Sequence, residues 1–223
     1  MSMADSRFYL EPVCDILRKT WPGNRLVNVV CHGHSVPSGY FATPVVDTFN
    51  AYPHLLHAGL KARFPFAVIN VIVTAIGGEN SESGAGRFEA EVLTHRPDVL
   101  TIDYGLNDRG LGLERAARAW RKMIEAALKA NVKVVLLTPT PDRTQLPGAA
   151  DKERQPLLAH AEQIRGLAAE YGTGLVDCLA EFAAADGSLL DYLSWSNHPN
   201  RAGHDLAARA LLRWFPPAAF PAG

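Results

Sequence analysis

The sequence predicts a three-layer α/β/α sandwich built on a central parallel sheet of about five strands. Several short runs are almost continuously apolar and rich in β-branched residues, as expected of parallel strands covered on both faces. Segments with a helical pattern of apolar residues lie between them, and this alternation favours a doubly wound sheet. A chain of 223 residues is long enough for one substantial core. We therefore expect a single domain over residues 1–223.

The strand candidates occur at regular intervals after an N-terminal helix or extension that occupies residues 1–24. They are residues 26–31, 66–73, 99–102 and 132–137, with a weaker fifth candidate at 175–178. In a parallel sheet the carboxyl ends of such strands share one edge, where doubly wound proteins bind their ligands. Polar residues that follow the strands are therefore the first candidates for a functional site.

The helix candidates show apolar residues along one side and charged residues along the other. They cover residues 113–130, 157–171 and 203–214. Residues 140–156 contain several Pro and Gly residues and are expected to form a long connection beside the ligand edge. The Pro- and Ala-rich residues 216–223 are expected to form a tail.

Composition narrows the class of partner. The chain carries 22 Lys and Arg against 23 Asp and Glu and has no long basic run, so it gives no support to a nucleic-acid or anionic-membrane partner. No segment resembles a signal peptide or a membrane span. The three cysteines are far apart and lack the spacing of a zinc or redox motif, which suits reduced thiols and a cytoplasmic protein. The oligomeric state is left open.

Four residues at the ligand edge carry complementary chemistry: Ser35, Gly78, Asn107 and His198. A serine hydroxyl needs a base to become a nucleophile, and a tetrahedral intermediate needs hydrogen-bond donors around its oxyanion. Here Ser35 is the candidate nucleophile and His198 the candidate base. The main-chain N–H groups of Ser35 and Gly78, with the Asn107 amide, are the candidate oxyanion donors. The second glycine of the Gly-x-Ser-x-Gly elbow is replaced by Pro37, which argues against an ordinary α/β-hydrolase.

These four blocks resemble the SGNH hydrolases, also called GDSL-type esterases and lipases. The matching segments are Gly33-His34-Ser35, Ile76-Gly77-Gly78-Glu79-Asn80, Gly105-Leu106-Asn107-Asp108 and His198-Pro199-Asn200. The resemblance spans roughly residues 26–214 and implies a flavodoxin-like SGNH fold. It also implies a serine esterase that hydrolyses a carboxylic ester through an acyl-enzyme on Ser35, without a cofactor.

The chain departs from the family pattern at two positions. The family usually has Asp before the nucleophile, where this chain has His34, and its triad acid three residues before the histidine, where this chain has Trp195. An indole cannot replace a carboxylate, so we expect a Ser-His dyad. A main-chain carbonyl near Trp195 or Ser196 is the preferred orienter of His198, and the Asp191 carboxylate is the alternative.

The substrate is expected to be small and polar, because the side chains expected near the site are polar or aromatic. These substrate-binding candidates are His34, Tyr40, Asn80, Arg109 and Trp195. Family members often deacetylate carbohydrates, so the resemblance favours a small or carbohydrate O-acetyl ester. A thioesterase or a lysophospholipase is an alternative within the same chemistry. A catalytically decayed carbohydrate-binding or interaction protein is the alternative from another class.

Two further interpretations have weaker support. His32 and His34 form a His-x-His pair, but alternate residues of a strand point to opposite faces and no third ligand lies nearby in sequence, so no metal is expected. A flavodoxin-like nucleotide binder would need a phosphate-binding loop. The loop after the first strand contains Pro37, which has no N–H to donate to a phosphate.

Overall fold

Five parallel strands form the centre of the protein in the computed structural model, which describes residues 2–217. The strands are β1 (Leu26–Gly33), β2 (Val68–Val73), β3 (Val99–Asp103), β4 (Lys133–Leu137) and β5 (Gly174–Val176). Their order across the sheet is β2-β1-β3-β4-β5, so β1 lies at the switch point between the two winding directions. The predicted parallel sheet of about five strands is confirmed.

Helices cover both faces of the sheet. They are α1 (Glu11–Leu17), α2 (Ser35–Ser38), α3 (Tyr52–Arg63), α4 (Ser81–Glu91), α5 (Leu113–Lys129), α6 (Asp151–Tyr171), α7 (Cys178–Ala183) and α8 (Arg201–Leu212). One apolar core packs α1, α3 and α8 against one face, and a second packs α4, α5 and part of α6 against the other. The central strands are therefore buried on both sides, which explains their continuous apolar character.

Helix α6 begins six residues earlier than the sequence pattern predicts, at Asp151 instead of residue 157. Pro156 lies inside it, near its amino-terminal end, where the missing N–H and the ring disturb fewer preceding turns. The long connection after β4 is correspondingly shorter than expected. Helix α8 begins at Arg201, where the Asn200 side chain caps it by accepting from the Gly203 N–H at 3.1 Å. Most of the predicted tail, residues 218–223, lies outside the described residues.

The loops at the carboxyl edge of the sheet are tied to one another through the main chain. The N–H of Ile76, after β2, donates to Gly33 O at 3.1 Å, and the N–H of His34, after β1, donates to Asp103 O at 3.2 Å. The Asn107 amide, after β3, donates to Glu79 O at 2.7 Å. Segments far apart in sequence are thus held together at the edge where the candidate residues lie.

The structure also shows the state of the cysteines and the length and polarity of the helices. Cys14, Cys31 and Cys178 are buried free thiols, each within the apolar core. Over residues 2–217, the helices are too short or too polar to cross a membrane.

Candidate active site

The candidate nucleophile occupies the first position of a single-turn helix. Ser35 begins α2 directly after β1 and is 7% exposed. The turn into this helix requires Gly33, since a Cβ there would lie 2.4 Å from the main-chain oxygen of Asp103. His34 caps the helix, because its Nδ1 accepts from the Val36 N–H at 3.2 Å. The local sequence thus fixes the position of the serine hydroxyl at the sheet edge.

The candidate base lies within hydrogen-bond distance of this hydroxyl. His198 Nε2 is 3.0 Å from Ser35 Oγ, and His198 Nδ1 is 2.7 Å from the main-chain oxygen of Phe41. A carbonyl can only accept, so Nδ1 carries the proton and Nε2 is free to accept the serine proton. Burial lowers the pKa of His198, partly offset by the Phe41 hydrogen bond. This arrangement suits general-base activation of a serine.

The acceptor of the His198 Nδ1 proton differs from the two that the sequence suggested. Residues 194–198 form a tight turn in which Ser194 N–H donates to His198 O at 2.9 Å, and Trp195 follows Ser194 in that turn. The Ser196 carbonyl accepts from Arg143 N–H at 2.9 Å. The Asp191 carboxylate belongs to a capping box, where it accepts from the Ser188 N–H at 2.8 Å.

Phe41 lies on a hairpin-like segment, residues 39–47, which we call the 39–47 loop. The Phe41 N–H donates to Val45 O at 3.0 Å, and the Asp47 N–H donates to Gly39 O at 2.8 Å. The Phe41 ring stacks on the buried ring of His204 with a centroid distance of 4.9 Å. Sequence reasoning missed Phe41 because a main-chain carbonyl has no residue signature and lies 157 positions from His198.

The candidate oxyanion donors have free hydrogen-bonding capacity. Within residues 2–217, neither the Ser35 N–H nor the Gly78 N–H has a hydrogen-bond acceptor. Gly78 has a φ of +83°, a conformation that favours glycine over residues with a side chain. Asn107 uses its Nδ2 to donate to Glu79 O, and this amide nitrogen carries a second hydrogen that can serve another acceptor. These groups match what an oxyanion requires.

A buried polar network holds the loop that carries Gly78. The Glu79 carboxylate receives hydrogen bonds from Arg87 Nη2 at 2.6 Å and from Tyr104 OH at 3.1 Å. Tyr104 OH also lies 3.1 Å from His32 Nε2, and burial lowers the pKa of His32 to about 4. No sequence motif predicts the pairing of Glu79 with Arg87, because only the fold brings these two side chains together. Both nevertheless support the segment next to the candidate oxyanion donors.

Asp108 and Arg109 connect the loop after β3 to other elements. Asp108 is buried and accepts from the Ser81 N–H at 2.8 Å and from Trp120 Nε1 at 2.7 Å. Arg109 donates to Leu106 O and pairs with Asp142 at 2.8 Å. Arg109, a candidate for substrate binding, is thus already engaged with the connection that follows β4.

The other substrate-binding candidates fall in different places. The Tyr40 ring lies 6.1 Å from the His198 ring and packs against Gly77, where a Cβ would meet it at 2.8 Å. Trp195 is 53% exposed in the turn before His198. The Asn80 side chain is instead the cap of α4, accepting from the N–H groups of Glu82 and Ser83. That contact accounts for an asparagine here without a substrate.

The two histidines of the His-x-His pair face different partners. His32 contacts Thr74 Oγ1 at 3.0 Å and the Tyr104 hydroxyl, whereas His34 contacts Val36 N–H and lies near Asp103. Within the described part of the chain, no group of three His, Cys, Asp or Glu residues is placed to hold a metal ion.

Comparison with known proteins assigns the family. Residues 31–206 match the GDSL-like lipase/acylhydrolase family. The chain belongs to this family. The resemblance to the SGNH or GDSL hydrolases drawn from the sequence is thereby confirmed, and the protein is a hydrolase of ester bonds.

The chain is also similar to an acetylxylan esterase from Geobacillus stearothermophilus. It is 27% identical over 169 residues, which cover 69% of this chain and 75% of that protein. The crystal structure of an acetylxylan esterase from the same organism has a TM-score of 0.72 at 22% identity, over 87% of this chain and 95% of that one. An α/β hydrolase from the metagenome of Lake Arreo, Spain, has a TM-score of 0.72 at 22% identity, over 85% and 94%.

Proposed function

We propose that this GDSL-family hydrolase removes acetyl groups from carbohydrates through an acyl-enzyme on Ser35, with His198 as the base. The observation that carries the proposal is the chain of contacts Ser35 Oγ to His198 Nε2 at 3.0 Å and His198 Nδ1 to Phe41 O at 2.7 Å. It supplies a nucleophile, a base and an orienting acceptor in one line.

The first half of the reaction acylates the enzyme. His198 Nε2 takes the serine proton while Ser35 Oγ attacks the ester carbonyl carbon. The N–H groups of Ser35 and Gly78 and the Asn107 amide stabilise the oxyanion. When the C–O bond to the sugar breaks, the His198 imidazolium gives its proton to the departing sugar oxygen.

The second half releases the acyl group. A water molecule takes the place of the sugar, and His198 accepts its proton as the water oxygen attacks the acyl carbon. The tetrahedral intermediate collapses, Ser35 Oγ leaves with the proton from His198, and acetate is produced. Throughout, Phe41 O keeps the imidazole in the tautomer with Nε2 available, which is the task of the carboxylate in a triad.

The carbohydrate part of the proposal rests on the acetylxylan esterase relative and on the aromatic side chains at the site. Trp195 is half exposed, and Tyr40 packs beside His198. Flat aromatic faces of this kind suit stacking against a sugar ring. We therefore assign the sugar to the side of the site that carries Trp195 and the acetyl group to the side of the oxyanion donors.

The test varies the acyl group and the alcohol group of the ester substrate separately. We expect release of acetate from acetylated xylo-oligosaccharides and from 4-nitrophenyl acetate, with much slower hydrolysis of 4-nitrophenyl octanoate. Ser35→Ala should abolish turnover and labelling by a fluorophosphonate. If the octanoate is hydrolysed faster than the acetate, or if labelling persists in Ser35→Ala, the proposal is wrong.

A further inference from the structure

His34 is buried and contacts the candidate nucleophile, Ser35. The Ser-His dyad mechanism assigns no role to His34. The side chain is fully buried, and its Nδ1 lies 3.4 Å from Ser35 Oγ as well as 3.2 Å from the Val36 nitrogen. The Val36 N–H donates into Nδ1, so this nitrogen is unprotonated. In the neutral ring the proton is therefore on Nε2.

The protonated Nε2 faces a buried carboxylate. It lies 3.3 Å from Asp103 Oδ1 without the alignment of a hydrogen bond, and the two side chains are 0% and 2% exposed. The other Asp103 oxygen lies 3.4 Å from the Tyr52 hydroxyl. A buried carboxylate beside Nε2 favours, through its charge, the tautomer that places the proton on this nitrogen.

The end of strand β1 brings the two residues together. Gly33 and Asp103 are paired on the adjacent strands β1 and β3, and the His34 N–H donates to the Asp103 carbonyl. As the chain leaves β1, the residue that precedes the nucleophile lies next to the side chain at position 103. An aspartate in both places would bury two carboxylates side by side, which electrostatic repulsion disfavours.

We propose that Asp103 is a positioning residue for the nucleophile and acts through His34. The Asp103 charge favours the His34 tautomer in which Nδ1 is free, and that nitrogen caps the turn at Val36 and lies beside Ser35 Oγ opposite His198. The site thus has a buried carboxylate on the serine side, where the usual triad has one on the histidine side. The proposal rests on Ser35 as the nucleophile.

Four other titratable groups surround the pair. Tyr52, Cys31 and Cys178 interact with Asp103, and burial raises the pKa of each, that of Cys31 to about 12. These three stay neutral between pH 5 and 8. His198 interacts with His34, and its pKa is lowered. Comparison with wild type, in which His198 is also present, separates the effect of a new carboxylate at position 34 from the titration of these neighbours.

The test is a double-mutant cycle of His34→Asp and Asp103→Asn, with kcat, KM and thermal unfolding measured for each variant. Asp103→Asn should lower kcat by about tenfold with KM nearly unchanged, because the orientation of Ser35 and not substrate binding is affected. His34→Asp should lower kcat by at least a hundredfold or reduce the yield of folded protein. The double variant should recover at least tenfold over His34→Asp, since the amide introduced at position 103 can donate to the new carboxylate.

The result depends on whether Asp103→Asn raises or lowers kcat when it is added to His34→Asp. If the double variant is as poor as His34→Asp or poorer, the two residues do not act as a pair and the proposal is overturned. Asp98→Asn, at the other end of β3 where Asp98 pairs with Arg25, is the matched control and should leave kcat unchanged. A tenfold loss in Asp98→Asn would show that any aspartate change beside β3 lowers kcat, which also overturns the proposal.

Thermal unfolding tests the pair without a substrate. The melting temperature of His34→Asp should lie well below wild type at pH 8, and the gap should narrow as pH falls to 5.5, because protonation of one carboxylate relieves the repulsion. The gap of the double variant should not change with pH in this way. A constant gap for His34→Asp contradicts the pairing even if the protein proves inactive on every ester, in which case the proposed function fails separately.

Discussion

The main-chain oxygen of Phe41 lies 2.7 Å from Nδ1 of His198, at the position that a carboxylate occupies in a Ser-His-Asp triad. The acceptor is uncharged, so it fixes the imidazole tautomer but adds little Coulombic stabilisation to the imidazolium. The candidate base, His198, contacts the 39–47 loop through Nδ1 and not the segment next to it in sequence.

Asp191→Ala is expected to leave kcat within about twofold of wild type. The carboxylate bonds the Ser188 N–H and does not contact His198, so its loss removes a helix cap and costs about 1 kcal/mol of stability. Steady-state kinetics with 4-nitrophenyl acetate and thermal unfolding check both values. A loss of several hundredfold in kcat would mean that Asp191 is the triad acid and that the dyad interpretation is wrong.

Phe41→Ala is expected to lower kcat by about tenfold to a hundredfold with little change in KM. The carbonyl remains, but the ring that anchors it against His204 is lost and the acceptor can move away from His198. Phe49→Ala is the matched control, since Phe49 is 72% exposed in the neighbouring turn. Equal effects of the two substitutions on kcat would argue against the anchoring role of Phe41.

Arg87→Met is expected to lower both stability and kcat. Arg87 and Glu79 form a nearly buried pair, and removing one partner leaves an uncompensated carboxylate at a cost of about 3 kcal/mol. The Asn107 amide bonds Glu79 O, so displacement of this segment should also reduce kcat by about tenfold. Arg115→Met breaks an exposed pair with Glu82 and should change neither quantity by a comparable amount.

The pH dependence of kcat/KM should reflect the lowered pKa of His198. A base must be neutral to accept the serine proton, so kcat/KM should decline in acid with its half-maximal value below pH 6.5, the ordinary pKa of histidine. Measurements between pH 4.5 and 8 with 4-nitrophenyl acetate test this. A decline that is half complete above pH 6.5 would contradict the effect of burial on His198.

Acid should destabilise the fold through His204. Burial lowers its pKa to about 3, whereas an unfolded histidine titrates near 6.5. The unfolded state therefore binds more protons below pH 6.5, and stability falls with pH by about 2 kcal/mol for this residue at pH 5. Urea unfolding of His204→Gln between pH 5 and 7.5 should show a smaller slope than wild type. The exposed His95→Gln should keep the wild-type slope.

The parts of the molecule that were predictable are those encoded by local pattern. The nearly continuous apolar runs at 26–31 and 99–102 predicted the strands Leu26–Gly33 and Val99–Asp103, and Ser35 and His198 lie in short motifs whose spacing is distinctive. The orienter of His198 was not predictable, because any residue can supply a carbonyl. Glu79 and Arg87, eight positions apart, were missed because an ion pair between a loop and a helix has no motif. The start of α6 was placed too late because Pro156 resembles a boundary.

The 39–47 loop carries two neighbouring residues with different contacts at the candidate site. Tyr40 packs beside His198 and is a candidate for contact with the substrate, while Phe41, the next residue, accepts the Nδ1 proton of the candidate base. A change that reshapes this loop for a new substrate also moves the carbonyl that accepts the Nδ1 proton of His198. Substrate selectivity and kcat should therefore change together during evolution of this enzyme. Replacing the 39–47 loop with that of a relative should transfer both the substrate preference and the kcat of the relative.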